Sequence, residues 1–212
     1  MLTSISSLRE YVMLCGRQVI GDSFLLNDDL LHNYKLIANY LFKPEESMRN
    51  GIDPNKSLWL GGNPGNGKSS ALKVMARMIL NSGLDVSHRY KIITYKEIER
   101  QYKTYNNEIF DLYGAKNPNN IAIDEVLYDE GLSPADFGKK INLFEELIFD
   151  RCMAFVETGV KTHISSNFSI RLIKEEKILD VRVRDRFSEM YNDIQWKGSS
   201  LRNIIMKGGA NG

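Results

Sequence analysis

Residues 62–69 read GNPGNGKS, a spacing in which every residue type has a task on a polyphosphate. Gly62, Gly65 and Gly67 allow backbone conformations that turn successive N–H groups toward a bound anion. Asn63, Pro64 and Asn66 complete the loop between them. Lys68 brings a mobile positive charge for the β- and γ-phosphates, and the Ser69 hydroxyl is a hard oxygen ligand suited to Mg²⁺. Ser70 follows in the same turn. Downstream, NIAIDE (120–125) ends an apolar run in two adjacent carboxylates. Asp124 suits the Mg²⁺ shell, and Glu125 suits a base that orients or deprotonates a water in line with the γ-phosphate. A polar cluster at the end of THISSNFS places Asn167 where it can hydrogen-bond the γ-phosphate or that water.

Such groups work only if regular elements hold them. The apolar run 57–60 (SLWL) predicts a strand entering the glycine loop. Apolar spacing at Ala71, Leu72, Val74, Met75, Met78 and Ile79 predicts a helix over 68–81 leaving it. Strand, loop and helix in that order are the context the G-x-x-x-x-G-K-[ST] pattern requires, with the positive end of the helix dipole aimed at the phosphates. Further short apolar runs at 90–94, 120–124 and 162–165, with a weaker one at 193–196, predict four more strands, and the pattern over 135–157 predicts a long helix. Residues 27–42 have helical spacing behind an Asn27 cap, and the polar stretch 43–56 reads as a loop. Strands of this length alternating with helices predict an α/β fold, a P-loop NTPase three-layer sandwich around a five-stranded parallel sheet. The expected organisation is a helical flank over 1–50, an ATPase core over 51–206 and a flexible tail over 207–212. A Glu directly after Asp124 favours ATP hydrolysis over a GTPase switch.

The totals agree with a single globular domain. The chain has 212 residues, 42% hydrophobic and 26% charged, with a formal net charge of +1. A charge so near zero does not announce a nucleic-acid binder, so any such surface must be local. Cys15 and Cys152 stand alone, which suits reduced thiols in a cytoplasmic setting. His32, His88 and His163 have no metal-ligand spacing. Arg9, Glu10 and Arg17 interrupt the N-terminal segment, which predicts neither a signal peptide nor a membrane span.

These residues resemble the AAA+ ATPases, and within them the helicase-loader and transposition-helper branch, the DnaC-type and IstB-type proteins. The resemblance runs over residues 58–202 through LWLGGNPGNGKSSAL, IITYKEI, NIAIDE, LIFDRC, KTHISSNFS, RVRDRF, Trp196 and the Ser200–Leu201–Arg202 string. It implies an AAA+ core without a C-terminal lid domain and an ATPase assembled as a ring or open spiral of its own copies. Asn167 matches the family's sensor asparagine. Arg186, with Arg182 as second choice and Arg184 between them, matches the arginine that reaches a neighbour's nucleotide, and Arg202 matches the second sensor. Residues 1–56 are all that precede the P-loop strand, so a helicase-docking module is expected to be short or absent. That shortness suggests a phage or mobile-element origin.

The resemblance also implies single-stranded DNA as a partner. The segment KEIERQYKTY offers Lys96, Arg100 and Lys103 beside Tyr102 and Tyr105, cations for phosphates and rings for bases. Lys139 and Lys140 add two more cations, although Glu97 and Glu99 also fit an ordinary solvated helix face. The function expected is therefore an ATP- and Mg²⁺-dependent ATPase that loads or remodels a replicative helicase. The alternatives are a transposition helper that engages a transposase, a nucleotide-dependent switch with little hydrolysis, and a small-molecule kinase.

Overall fold

The computed structural model describes residues 7–127, 134–198 and 200, with the side chains of all of these except 134–142. The chain packs as two compact units. One comprises the residues up to Pro54, Gly62–Arg89 and those from Trp196 onward; the other comprises Asn55–Gly61 and Tyr90–Gln195.

The first unit is helical. It contains α1 (Leu8–Ile20), α2 (Asp28–Phe42), α3 (Pro44–Arg49) and α4 (Lys68–Ser82). Asn27 caps α2 as its position predicts, accepting the Leu30 N–H. Helix α3 lies inside the stretch read as a loop. Pro44 at its first position, acids in the first turn and Arg49 in the last turn specify a short helix that hydrophobic spacing is too brief to reveal. Helix α1 packs on α4, where the Tyr11 hydroxyl donates to the Met78 carbonyl at 2.9 Å. The Phe24 ring lies where a side chain at position 16 would begin, so only Gly16 admits that contact.

The second unit holds the whole sheet: β1 (Ser57–Gly61), β2 (Tyr90–Thr94), β3 (Asn120–Val126), β4 (Thr162–Ser166) and β5 (Tyr191–Gln195). The order is β2-β3-β4-β1-β5 and every pairing is parallel. All five predicted strands are present. Central β1 and β4 are buried at every position, as strands covered on both faces are. The connecting helices of this unit are α5 (Tyr95–Tyr105), α6 (Glu108–Tyr113), α7 (Pro134–Thr158), α8 (Ile170–Glu175) and α9 (Val181–Met190). Their core centres on Trp59, whose ring meets Phe144, Phe187 and Tyr191 at centroid distances of 6.4, 5.2 and 5.4 Å.

Arg151 on α7 is fully buried, and no ion pair to a carboxylate is found for it among the described residues. Its guanidinium donates instead to the Thr162 hydroxyl and to the carbonyls of Gly114, Asn117, Asn119 and Lys161, at 2.7–3.3 Å. The planar fork thereby ties the 114–119 loop to the starts of β3 and β4. No described helix is long and apolar enough to cross a membrane.

Candidate active site

The P-loop belongs to the first unit. Strand β1 ends at Gly61 and the loop begins at the next residue. Gly62, Gly65 and Gly67 have φ of 158°, 76° and 95°, so all three sit in backbone that favours glycine. A Cβ at position 62 would lie 2.6 Å from the Trp196 carbonyl oxygen. Gly67 opens α4 in the left-handed conformation with no side-chain cap and no acid in the first turn. By contrast, Ser7, Asn27, Thr94, Ser169 and Asp180 each cap their own helix with a side-chain oxygen. Helix α4 therefore starts without a side-chain cap, at the kind of helix N-terminus where anions bind.

Lys68 is buried, and its ammonium donates to the carbonyls of Gly62 and Asn63 at 2.6 and 2.8 Å and to Asn66 Oδ1 at 3.2 Å. Asn66 is itself held: its Nδ2 donates to the Trp196 carbonyl at 2.9 Å, and the Trp196 indole donates back to the Asn66 carbonyl at 3.0 Å. Asn33 of α2 in turn donates to the Lys197 carbonyl at 2.7 Å, and the Tyr34 ring stands edge-on to Trp196 at 5.7 Å. The segment after β5 thus braces the P-loop through Asn66. Neither partner is close in sequence to the loop, and the sequence reading assigned Trp196 no such role. Ser69 and Ser70 lie half-buried in the first turn of α4, and Asn63 and Pro64 are exposed.

The acidic strand end belongs to the second unit. Because the sheet is parallel, the C-terminal ends of β1, β3 and β4 share one edge, where Gly61 and Val126 are both in register with Ser166. Ligands of open parallel sheets collect at such an edge. Between Ile123 and Val126 the register slips, so that Asp124 and Glu125 face β4 across the single residue Ser165. Glu125 takes φ 60° in this bulge, left-handed backbone that costs a residue other than glycine about 1–2 kcal/mol. Asp124 is buried at 5% exposure while Glu125 is exposed. Simple strand alternation does not produce this separation; the bulge does. The Ser165 hydroxyl donates to Asp124 Oδ1 and accepts the Glu125 N–H at 3.0 Å, and the Ser166 hydroxyl donates to the Val126 carbonyl at 3.1 Å. Asn167 follows at the end of β4, half-buried.

Helix α9 separates the arginines. Arg184 turns inward and donates to the Lys174 carbonyl at 3.2 Å. Arg182 and Arg186 occupy the exposed face, paired with Asp180 and Glu189, each at 3.0 Å. Arg202 lies outside the described residues. On α5, Lys96, Arg100 and Lys103 are exposed at helical spacing along one face, with Arg100 paired to Glu97 at 2.7 Å. Tyr102 packs against Phe110, whereas Tyr105 is half exposed. The side chains of Lys139 and Lys140 lie outside those described.

Ser69 in the first unit and Asp124 in the second each carry an oxygen of the hard kind that Mg²⁺ takes as a ligand. Among the described residues no cluster of His, Cys, Asp or Glu forms a cage that would hold a metal alone.

No protein-family model and no curated protein sequence matches the chain. Solved structures do match its fold. The DnaC helicase loader aligns with a TM-score of 0.57 at 19% identity, over 86% of this chain and 98% of that one. DnaI aligns with a TM-score of 0.55 at 18% identity, over 92% and 94%. The replication initiator DnaA bound to AMPPCP and single-stranded DNA aligns with a TM-score of 0.53 at 14% identity, over 88% and 53%. The chain therefore has the P-loop NTPase fold of these proteins, and the neighbours are of the type its motifs resemble.

Proposed function

We propose that this chain is an AAA+ ATPase of the helicase-loader type. It binds ATP with Mg²⁺ and assembles with its own copies. Hydrolysis at the subunit interfaces then loads or remodels a replicative helicase on single-stranded DNA in the cytoplasm. The observation that carries this reading is the bulged end of β3. It separates an adjacent Asp–Glu pair into one buried and one exposed carboxylate, at the sheet edge where β1 and β4 also end.

Each residue has a distinct part. The backbone N–H groups of residues 62–70 bind the phosphates, and the Lys68 ammonium exchanges its loop carbonyls for phosphate oxygens. Ser69 and Asp124 would hold Mg²⁺, which supplies charge neutralisation on the phosphates when bound. Glu125 takes the proton of the attacking water, and Asn167 orients that water. Arg186, or Arg182 beside it, crosses to a neighbour's nucleotide, giving up an exposed ion pair of low value. Arg202 serves the nucleotide in cis. Lys96, Arg100 and Lys103 follow the DNA backbone, with Tyr105 as the stacking ring and Lys139 and Lys140 as further cations.

The solved neighbours include a helicase loader and a replication initiator bound to a nucleotide analogue and single-stranded DNA, which supports replication over transposition as the setting. Binding of a fluorescent ATP analogue to the wild type and to Lys68→Ala tests the nucleotide site. The wild type is expected to bind and the variant to lose most of its affinity. Equal binding by both would remove the P-loop from the reading, and no binding by the wild type would end it.

A further inference from the structure

Ser165 gives its proton to one carboxylate oxygen of Asp124 and takes the amide proton of Glu125, from a strand neighbouring both. A hydroxyl has one proton and two lone pairs, so these bonds fix its orientation completely enough to define both partners. We infer that Ser165 is the positioning residue of the acidic strand end: it orients the Asp124 carboxylate for the metal shell while pinning the backbone that aims Glu125.

The geometry supports this beyond simple satisfaction of buried groups. Ser165 is 1% exposed and stands opposite the bulge, where two residues of β3 meet one of β4. With Oδ1 anchored, rotation of the Asp124 carboxylate is restrained. The Glu125 backbone, held left-handed at φ 60°, has its N–H bound by the same oxygen. Ser166 adds a second tie one residue later, donating to the Val126 carbonyl and accepting the Phe168 N–H at 3.1 Å each. The two serines preceding Asn167 therefore join the end of β4 to the irregular end of β3. Changing an outer residue that orients a metal ligand typically costs about 10–100-fold in metal affinity or activity.

The inference rests on the ATPase reading of Asp124 and Glu125, and its test separates the two. Affinity for the fluorescent ATP analogue is measured with Mg²⁺ and with EDTA for the wild type, Ser165→Ala and Ser165→Thr, with thermal unfolding as the check on folding. The wild type is expected to bind more tightly with Mg²⁺. Ser165→Ala is expected to keep the EDTA affinity and lose about tenfold of the affinity with Mg²⁺. Ser165→Thr, which retains the hydroxyl, is expected to restore it. Should the alanine variant fail to fold, Ser165→Val against Ser165→Thr makes the same comparison at equal shape. An unchanged Mg²⁺ effect in the variants lacking the hydroxyl, or a threonine variant no better than valine, overturns the positioning role alone. A wild type that binds no nucleotide overturns both readings.

Discussion

His163 shows how a single buried side chain leaves a signature in solution. Its Nδ1 accepts the Leu58 N–H at 3.1 Å, and burial pushes the imidazole pKa from 6.5 down to about 3. The folded state keeps this ring neutral while the unfolded chain takes up a proton below pH 6.5. Stability from the neutral ring is therefore present above that pH and is lost as the pH falls toward the folded value. Between pH 7 and pH 5 the wild type is expected to lose about 2 kcal/mol more than His163→Asn. Urea unfolding at the two pH values measures it; an equal decline in both proteins would contradict the assignment. Spacing gave His163 no metal-ligand partners, and its place in the apolar run 162–165 put it on a strand without showing which group its ring would meet. The same limit applies to Ser165. Lys68, Asp124 and Glu125 can be singled out as candidates from local order, whereas the contacts of Ser165 depend on strand register.

At the scale of elements, β2 was legible to the residue and β1, β3 and β4 to within two, since short apolar runs between helical patterns mark buried parallel strands. The bulge was not legible, because nothing in NIAIDE distinguishes a regular strand end from one with two residues opposite one. Helix α5 is the element on which the proposed DNA contact can be judged. Its cations lie opposite the buried Ile98, and Arg100 already shares its charge with Glu97. Lys96 and Lys103 should therefore carry most of the phosphate contact. Replacing both with alanine is expected to lower the slope of log affinity for single-stranded DNA against log salt by about 0.7 per lost contact. An unchanged slope would return α5 to the role of a solvated face.

For the whole molecule, the fold matches solved neighbours over most of the chain, and the proposed assembly turns on α9. Arg182 and Arg186 lie on the exposed side of α9, where an arginine acting on another subunit has to be, while Arg184 is tied to its own fold. The resemblance ranked Arg186 first and Arg182 second, whereas the separate place of Arg184 arises only when α9 packs its Val183 and Phe187 face inward. The most direct measurement is steady-state ATP hydrolysis, with and without single-stranded DNA, by wild type, Glu125→Gln, Arg186→Ala and a mixture of the two variants. If each nucleotide is hydrolysed between two subunits, either variant alone falls by about a hundredfold or more. The mixture recovers turnover, because some interfaces then carry an intact glutamate and an intact arginine. Failure of the mixture to recover, or full turnover by a verified monomer, would contradict the account.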